Sequence, residues 1–199
     1  MTPTIILASA STIRRNLLES AGLQPVVEVA RIDEAAIKAA LLAENANPRD
    51  IADALAEMKA LRVSARHPGA IVIGADQVLD LGGTMLDKPR DMAEARAQLL
   101  NMRGRSHRLI SAAVIVRGGV AIWRHAGIVR LTMREFSEDY LDSYLARGGE
   151  DLLHSVGAYK LEAEGVRLFA NIEGDYFTVL GLPLLEVLTH LTETGVLPT

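Results

Sequence analysis

Residues 105–136 read RSHRLISAAVIVRGGVAIWRHAGIVRLTMREF, and this stretch decides the fold. Arg105–Val116 and Val120–Phe136 flank the pair Gly118-Gly119. Glycines between two such runs supply the positive-φ positions of a tight turn, so a long antiparallel hairpin is expected. Gly82-Gly83, between two shorter apolar runs, reads as a second hairpin turn. Thr4–Ala8 and Ala70–Ala75 are short apolar runs of the kind found in buried strands. Pro25–Val29, Gly157–Glu162 and Val166–Ile172 are also expected as strands.

Helices are expected between these strands. Thr12–Gly22 places Leu17, Leu18 and Ala21 on one face, with Gly22 as a stop. Asp33–Glu44 is rich in Ala and Leu. Asn47-Pro48-Arg49-Asp50 is a strong helix start, since Asn caps, Pro suits the first turn and Asp complements the dipole. Ile51, Leu55, Met58 and Leu61 then form an apolar stripe that ends before His67-Pro68-Gly69. Further helices are expected from Asp91 to about Leu100, from Ser137 to Gly148-Gly149, and from Pro183 onward. Helices mixed with long antiparallel pairs imply an α/β fold with a mixed sheet and flanking helices, not a doubly wound parallel sheet.

The chain has 199 residues, enough for one domain or one domain of two lobes. An apolar fraction of 49% with 23% charged residues describes an ordinary globule and excludes intrinsic disorder. The sequence has no cysteine, which excludes disulfides, thiolate metal sites and a cysteine nucleophile. No apolar stretch approaches the ~18 residues of a spanning helix, and no basic segment precedes TIILA, so neither a membrane nor an export signal is expected. The protein is read as cytoplasmic. A net charge of −4 argues against broad nucleic-acid binding, although a local basic pocket could hold a small phosphorylated ligand.

Three groups of residues could carry chemistry. Ser9-Ala10-Ser11-Thr12-Ile13-Arg14-Arg15 joins a strand to a helix and brings together hydroxyls, helix N–H groups and guanidiniums, the donors a phosphate needs. The alternative is simple capping by Ser9 or Ser11 with both arginines in solvent. Asp76, expected at the carboxyl end of the strand Ala70–Ala75, could bind a divalent cation or accept a proton, or be a turn residue. Glu34, Lys59 and Lys88 are either site residues or solvated side chains. Lys88 precedes Pro89 and so lies in an extended or turn segment. The five histidines show no metal-ligand spacing, and no GxSxG motif is present. His107 is read as structural or substrate-adjacent.

Taken in order, SAS-x-x-R, IDE (Ile32–Glu34), LAEMKA (Leu55–Ala60), GAD (Gly74–Asp76) and KP (Lys88-Pro89) followed by Asp91 resemble the Maf family of nucleoside triphosphate pyrophosphatases. Gly104-Arg105-x-His107, Gly157-Ala158-Tyr159, Gly174-Asp175 and Gly181-Leu182-Pro183 agree, so the resemblance spans nearly the whole chain. It implies a single domain over residues 1–199 with two lobes around a central cleft, related to the inosine-triphosphate pyrophosphatases. The implied enzyme cleaves the α–β phosphoanhydride of a nucleoside triphosphate, giving a nucleoside monophosphate and pyrophosphate. Its implied role is the removal of non-canonical nucleotides.

The resemblance also implies roles for single residues. Asp76 matches the catalytic aspartate. Ser9, Ser11 and Arg14 match the phosphate-binding loop, and Glu34, Lys59 and Lys88 match the charged pocket residues. A divalent cation, Mg²⁺ or Mn²⁺, is expected on Asp76 and Glu34, because carboxylate and phosphate oxygens are hard ligands. Thr12 departs from the usual Pro. Ile13 matches neither the dTTP/UTP subgroup (Arg) nor the 7-methyl-GTP subgroup (Trp). Gln77 and Glu162 match the 7-methyl-GTP subgroup, and a 7-methylguanine nucleotide is the expected preference. The alternatives are a dTTP/UTP or broad-specificity pyrophosphatase, or a nucleotide-binding division-control protein with little turnover. The partner expected is the nucleotide, with no nucleic acid and no membrane, and a homodimer is left open.

Overall fold

The computed structural model describes residues 3–198. Among these residues seven strands, β1 (Ile5–Leu7), β2 (Val26–Val27), β3 (Ile71–Leu81), β4 (Thr84–Leu86), β5 (Ser106–Arg117), β6 (Val120–Met133) and β7 (Phe169–Glu173), form one sheet. Its order is β2-β1-β3-β5-β6-β7, with β4 on β3. β1 runs parallel to both β2 and β3, with Ile6 opposite Val26 and Val72. β4 on β3 and β7 on β6 are antiparallel. The sheet is therefore mixed, as the hairpin at Gly118-Gly119 implied. Both glycines of that turn have positive φ, +59° and +78°.

The helices are α1 (Thr12–Ser20), α2 (Glu34–Ala43), α3 (Pro48–Ser64), α4 (Met92–Met102), α5 (Glu138–Gly148), α6 (Tyr176–Val179) and α7 (Leu184–Glu193). Their starts follow local chemistry. Ser11, Asp33, Asn47, Asp91 and Ser137 each cap a helix by accepting a backbone N–H in its first turn.

The chain divides into two compact units, the first being Met1–Gln77, Ile110–Gly127 and Tyr176–Thr199. In the first, Leu7, Ile71, Ile73 and Ala113 of the strands pack with Leu18 of α1 and with Leu184, Val187 and Leu191 of α7. Trp123, the only tryptophan, lies against this core and stacks on His190 at 5.3 Å and on His125 at 6.2 Å. β2 is shorter than the expected Pro25–Val29, and its valines are exposed.

The buried face of α3 keeps Ile51 and Leu55 of the expected stripe but departs from it further along. Met58 is exposed and Leu61 only partly buried, whereas Ala52, Ala56, Ala60 and Val63 are fully covered and Lys59 is buried with them. The reason is a close approach. A Cβ on Gly74 of β3 would stand 2.1 Å from the Ala56 carbonyl oxygen, so only small residues fit where helix meets strand.

The second unit is Val78–Leu109 and Ile128–Asp175. Leu79, Leu99, Met102, Leu131, Leu141 and Leu168 are buried in it. Gly157–Glu162 is not a strand. Residues 149–168 form short 3-10 turns, and Gly157 and Ala158 take left-handed φ values of +78° and +57° that no strand accommodates. The second expected strand, Val166–Ile172, begins only at Phe169 and runs one residue further, to Glu173, as β7. His107 lies in β5, buried, with Nε2 2.8 Å from the Tyr159 hydroxyl and its ring tilted against Phe169. Burial holds its pKa down at about 4, so it is neutral near pH 7, and its Nδ1 has no partner among the described residues. His107 is therefore structural.

Candidate active site

Asp76 does not end a strand. It is the sixth of eleven residues in β3, which continues to Leu81. The polar run Asp76-Gln77 looked like a strand end because no local partner exists for a carboxylate inside an apolar run. The partner comes from α3. The contact of Gly74 with Ala56 sets that helix close to β3, and Lys59 Nζ donates to Asp76 Oδ1 at 2.6 Å. Glu34, the first residue of α2 after its Asp33 cap, places Oε1 3.1 Å from the same ammonium. One buried lysine thus bridges two carboxylates. Among the described residues no donor reaches Asp76 Oδ2. Burial raises the pKa of Asp76, against the opposing pull of Lys59 and Arg14.

The Ser9–Arg15 segment shows the expected capping but not two solvated arginines. Ser11 does cap α1, accepting the Arg14 N–H at 3.3 Å. Arg14, however, is not in solvent. It is buried on the α1 face of Leu17 and Leu18, whereas Ala21, expected on that face, is the C-cap and is exposed. Its Nε donates to Gly181 O at 2.7 Å, and its Nη1 donates to Ala75 O at 2.9 Å and Ser9 Oγ at 3.2 Å. Neutral acceptors hold this guanidinium, and among the described residues no carboxylate lies within ion-pair distance. Desolvation consequently lowers its pKa, while Asp76 and Glu34 pull it up from further away. Gly181 has φ +101°, and a Cβ there would press on Arg14 Nε at 3.3 Å. Ser9 Oγ also accepts the Ser11 N–H at 3.2 Å. Both serines act here as acceptors, which leaves each hydroxyl proton to donate. Ile13, next in α1, is partly buried, and Arg15 is exposed.

Gln77 follows Asp76 and is partly buried. Its Nε2 lies 2.9 Å from Ser111 Oγ, 3.0 Å from Val179 O and 3.2 Å from Thr178 O. Sequence reasoning missed Ser111, Thr178 and Val179. The only signal was a single hydroxyl in the apolar run LISAAVIV, since a backbone carbonyl leaves no mark in a sequence.

Ser9, Ser11, Ile13, Arg14, Glu34, Lys59, Asp76 and Gln77 all belong to the first unit, where Arg14, Glu34, Lys59 and Asp76 form one charged cluster. Lys88 and Glu162 belong to the second. Lys88 is exposed in the segment between β4 and α4, and Glu162 is exposed in the turn before the last 3-10 segment.

The family model described as Maf-like protein matches residues 4–194. The chain belongs to the Maf family. Among its relatives, a nucleoside triphosphate pyrophosphatase of Ruegeria pomeroyi is 56% identical over 199 residues, all of both chains. A 7-methyl-GTP pyrophosphatase of Rhizobium etli is 51% identical over 195 residues, 98% of each chain. A solved nucleoside-triphosphatase (dITP/XTP pyrophosphatase) of Mycobacterium abscessus is 16% identical, covers 98% of both chains and superposes with a TM-score of 0.40, a likeness too slight to bear on the site. Among the described residues of this Maf protein no helix is long and apolar enough to cross a membrane, and no group of three or more His, Asp or Glu residues could hold a metal ion.

Proposed function

We propose that this Maf protein is a nucleoside triphosphate pyrophosphatase, hydrolysing the α–β phosphoanhydride to a nucleoside monophosphate and pyrophosphate. One observation carries the reading. Asp76 is buried, fixed through one oxygen by Lys59 and, among the described residues, open at the other, within the field of a buried Arg14 that has no carboxylate of its own among them. A carboxylate with an open oxygen can take a proton from water, and a pKa raised by burial makes it a better base near neutrality. Arg14, with the hydroxyls of Ser9 and Ser11 and the N-terminus of α1, offers donors to phosphate oxygens. Lys59 holds the carboxylate in place and can stabilise charge on the leaving pyrophosphate. Lys88 is proposed as a further triphosphate-binding amine, on its motif match alone. The substrate is a free nucleotide, which points to the cytoplasm.

A divalent cation fits the donor set. Arg14 and Lys59 are balanced by Asp76 and Glu34, so these four groups do not by themselves neutralise a triphosphate. Asp76 and Glu34 are the residues that would hold Mg²⁺ or Mn²⁺. With two carboxylates, such an ion completes its shell with water and substrate oxygens, the usual habit of Mg²⁺. Its contribution when bound is to offset charge on the phosphate oxygens.

For the base, the proposal is a 7-methylguanine nucleotide. Glu162 is an acceptor suited to the N1–H and amine of guanine, and N7 methylation adds a positive charge that a carboxylate favours. Gln77 supports this less than its sequence implied, because its donors are already taken. An accepting oxygen also suits the ring N–H of uracil or thymine, so dTTP/UTP cleavage is the second reading. Pyrophosphate release from 7-methyl-GTP, GTP, dTTP and UTP with Mg²⁺ or Mn²⁺ tests both. We expect release from all, fastest from 7-methyl-GTP. Faster cleavage of dTTP or UTP reverses the base assignment, and no release from any overturns the enzyme.

A further inference from the structure

We propose that Ser111 is a specificity-positioning residue: it fixes the Gln77 amide so that only the oxygen of that amide meets the substrate. The orientation of a glutamine amide is ordinarily ambiguous, but here its neighbours decide it. Thr178 O and Val179 O are carbonyl oxygens that can only accept, so the group facing them at 3.2 and 3.0 Å is the NH₂. Ser111 Oγ donates its own proton to Thr178 O at 2.7 Å, and must therefore accept from Gln77 at 2.9 Å. Turning the amide over would set its oxygen against two carbonyl oxygens that cannot donate. Oε1, by contrast, has no donor among the described residues, and Gln77 is only partly buried.

The surroundings are rigid. Ser111 is fully buried in β5, and Thr178 is buried at α6. A Cβ on Gly127 of β6 would stand 2.6 Å from Thr178 Oγ1, so α6 is held where no larger residue fits. Gln77 is thus an acceptor by construction, although glutamine can donate as well. An acceptor selects a base that presents a ring N–H, as guanine and uracil do. It disfavours a base that presents a ring nitrogen lone pair there, as adenine and cytosine do. This inference rests on the reading that Gln77 meets the base.

The test compares pairs matched in ring size, through the ratios of kcat/KM for GTP over ATP and for UTP over CTP. They are measured on the wild type, Gln77→Ala, Ser111→Ala and the double variant. We expect the wild type to favour GTP and UTP. Gln77→Ala should lower both ratios by about tenfold, the worth of one hydrogen bond; Ser111→Ala, which leaves the two carbonyls on the amide, should lower them by about threefold, and the double variant should fall no further than Gln77→Ala alone. Ser111→Thr, which keeps the hydroxyl, should restore the ratios. A purely structural loss would lower all four kcat/KM values together and leave the ratios unmoved, and that result overturns the inference. Independent, multiplying effects in the double variant also overturn it. If Gln77→Ala itself leaves the ratios at the wild-type value, the base-reading role of Gln77 fails, and Ser111 with it. Should Ser111→Ala not fold, Ser111→Cys against Ser111→Thr carries the same comparison, with loss of the ratios in the Cys variant alone as the supporting result.

Discussion

Asp76 and Asp80 stand four residues apart on β3, both buried, yet their surroundings differ in kind. Both oxygens of Asp80 are consumed: Oδ1 accepts the Gly83 N–H at 2.7 Å and Oδ2 takes Nε and Nη2 of Arg108. That carboxylate closes the β3–β4 turn and has nothing left to offer. Asp76 has one oxygen on Lys59 and one open, with a second carboxylate sharing the lysine. Burial of an acidic residue therefore does not mark chemistry; an unspent oxygen beside organised cations does.

The largest expected effect tests the Asp76 end. Asp76→Asn should lower kcat roughly a thousandfold while leaving thermal stability nearly unchanged, the scale of a lost general base. Turnover within tenfold of wild type would dissolve the contrast. The pH profile sharpens it. Because burial raises the Asp76 pKa, activity that needs the ionised form should fall on acidification at a pH above the ordinary 3.8, and Asp76→Asn should erase that limb.

Next comes the Asp80 end, where the effect should be on stability. Arg108→Met leaves a buried carboxylate without its cation and should cost about 2–3 kcal/mol, discounted because Arg108 is half exposed. Asp80→Asn, which removes the buried charge instead, should cost about 1 kcal/mol. Circular dichroism melts give both, and kcat of the folded variants should stay near wild type. A greater cost for Asp80→Asn than for Arg108→Met would mean that the pair is not limited by desolvation.

The smallest effect concerns His107, another buried group with an unspent atom. Its folded pKa of about 4 lies below the unfolded 6.5, so between those values the unfolded chain binds the proton and the folded one does not. Stability is fully present above pH 6.5 and is lost as pH falls toward 4, by about 1 kcal/mol at pH 5.5. His107→Phe should flatten that slope without changing kcat. An unchanged slope would assign the acid sensitivity elsewhere.

Much of the fold was legible because its causes are local. Caps at Asn47, Asp91 and Ser137, and glycine pairs at 82-83 and 118-119, act within four residues of themselves. What was misread depends on distant chain. β3 was expected to stop at Ala75 because its two aspartates are satisfied by Lys59 and Arg108, which no neighbourhood of the strand discloses. The stripe on α3 holds at Ile51 and Leu55 and departs beyond them, because Gly74 selects alanines over the larger Met58 and Leu61. Gly157-Ala158 sits in an apolar stretch, and the left-handed turn there is a property of the backbone rather than of the pattern. Of the site, the charged residues were legible by motif, but the buried state of Arg14 and the spent donors of Gln77 were not.

The lone tryptophan has a practical consequence for spectroscopy. Trp123 reports only the β6–α7 layer of the first unit, where its indole stacks on two imidazoles. An emission melt follows that unit and is silent about Val78–Leu109 and Ile128–Asp175, which hold Arg108 and His107. Burial lowers the pKa of His190, so the quenching that a protonated imidazole brings to the stacked indole should set in only below the ordinary histidine range. A far-ultraviolet melt beside the emission melt would show whether the two units lose structure together.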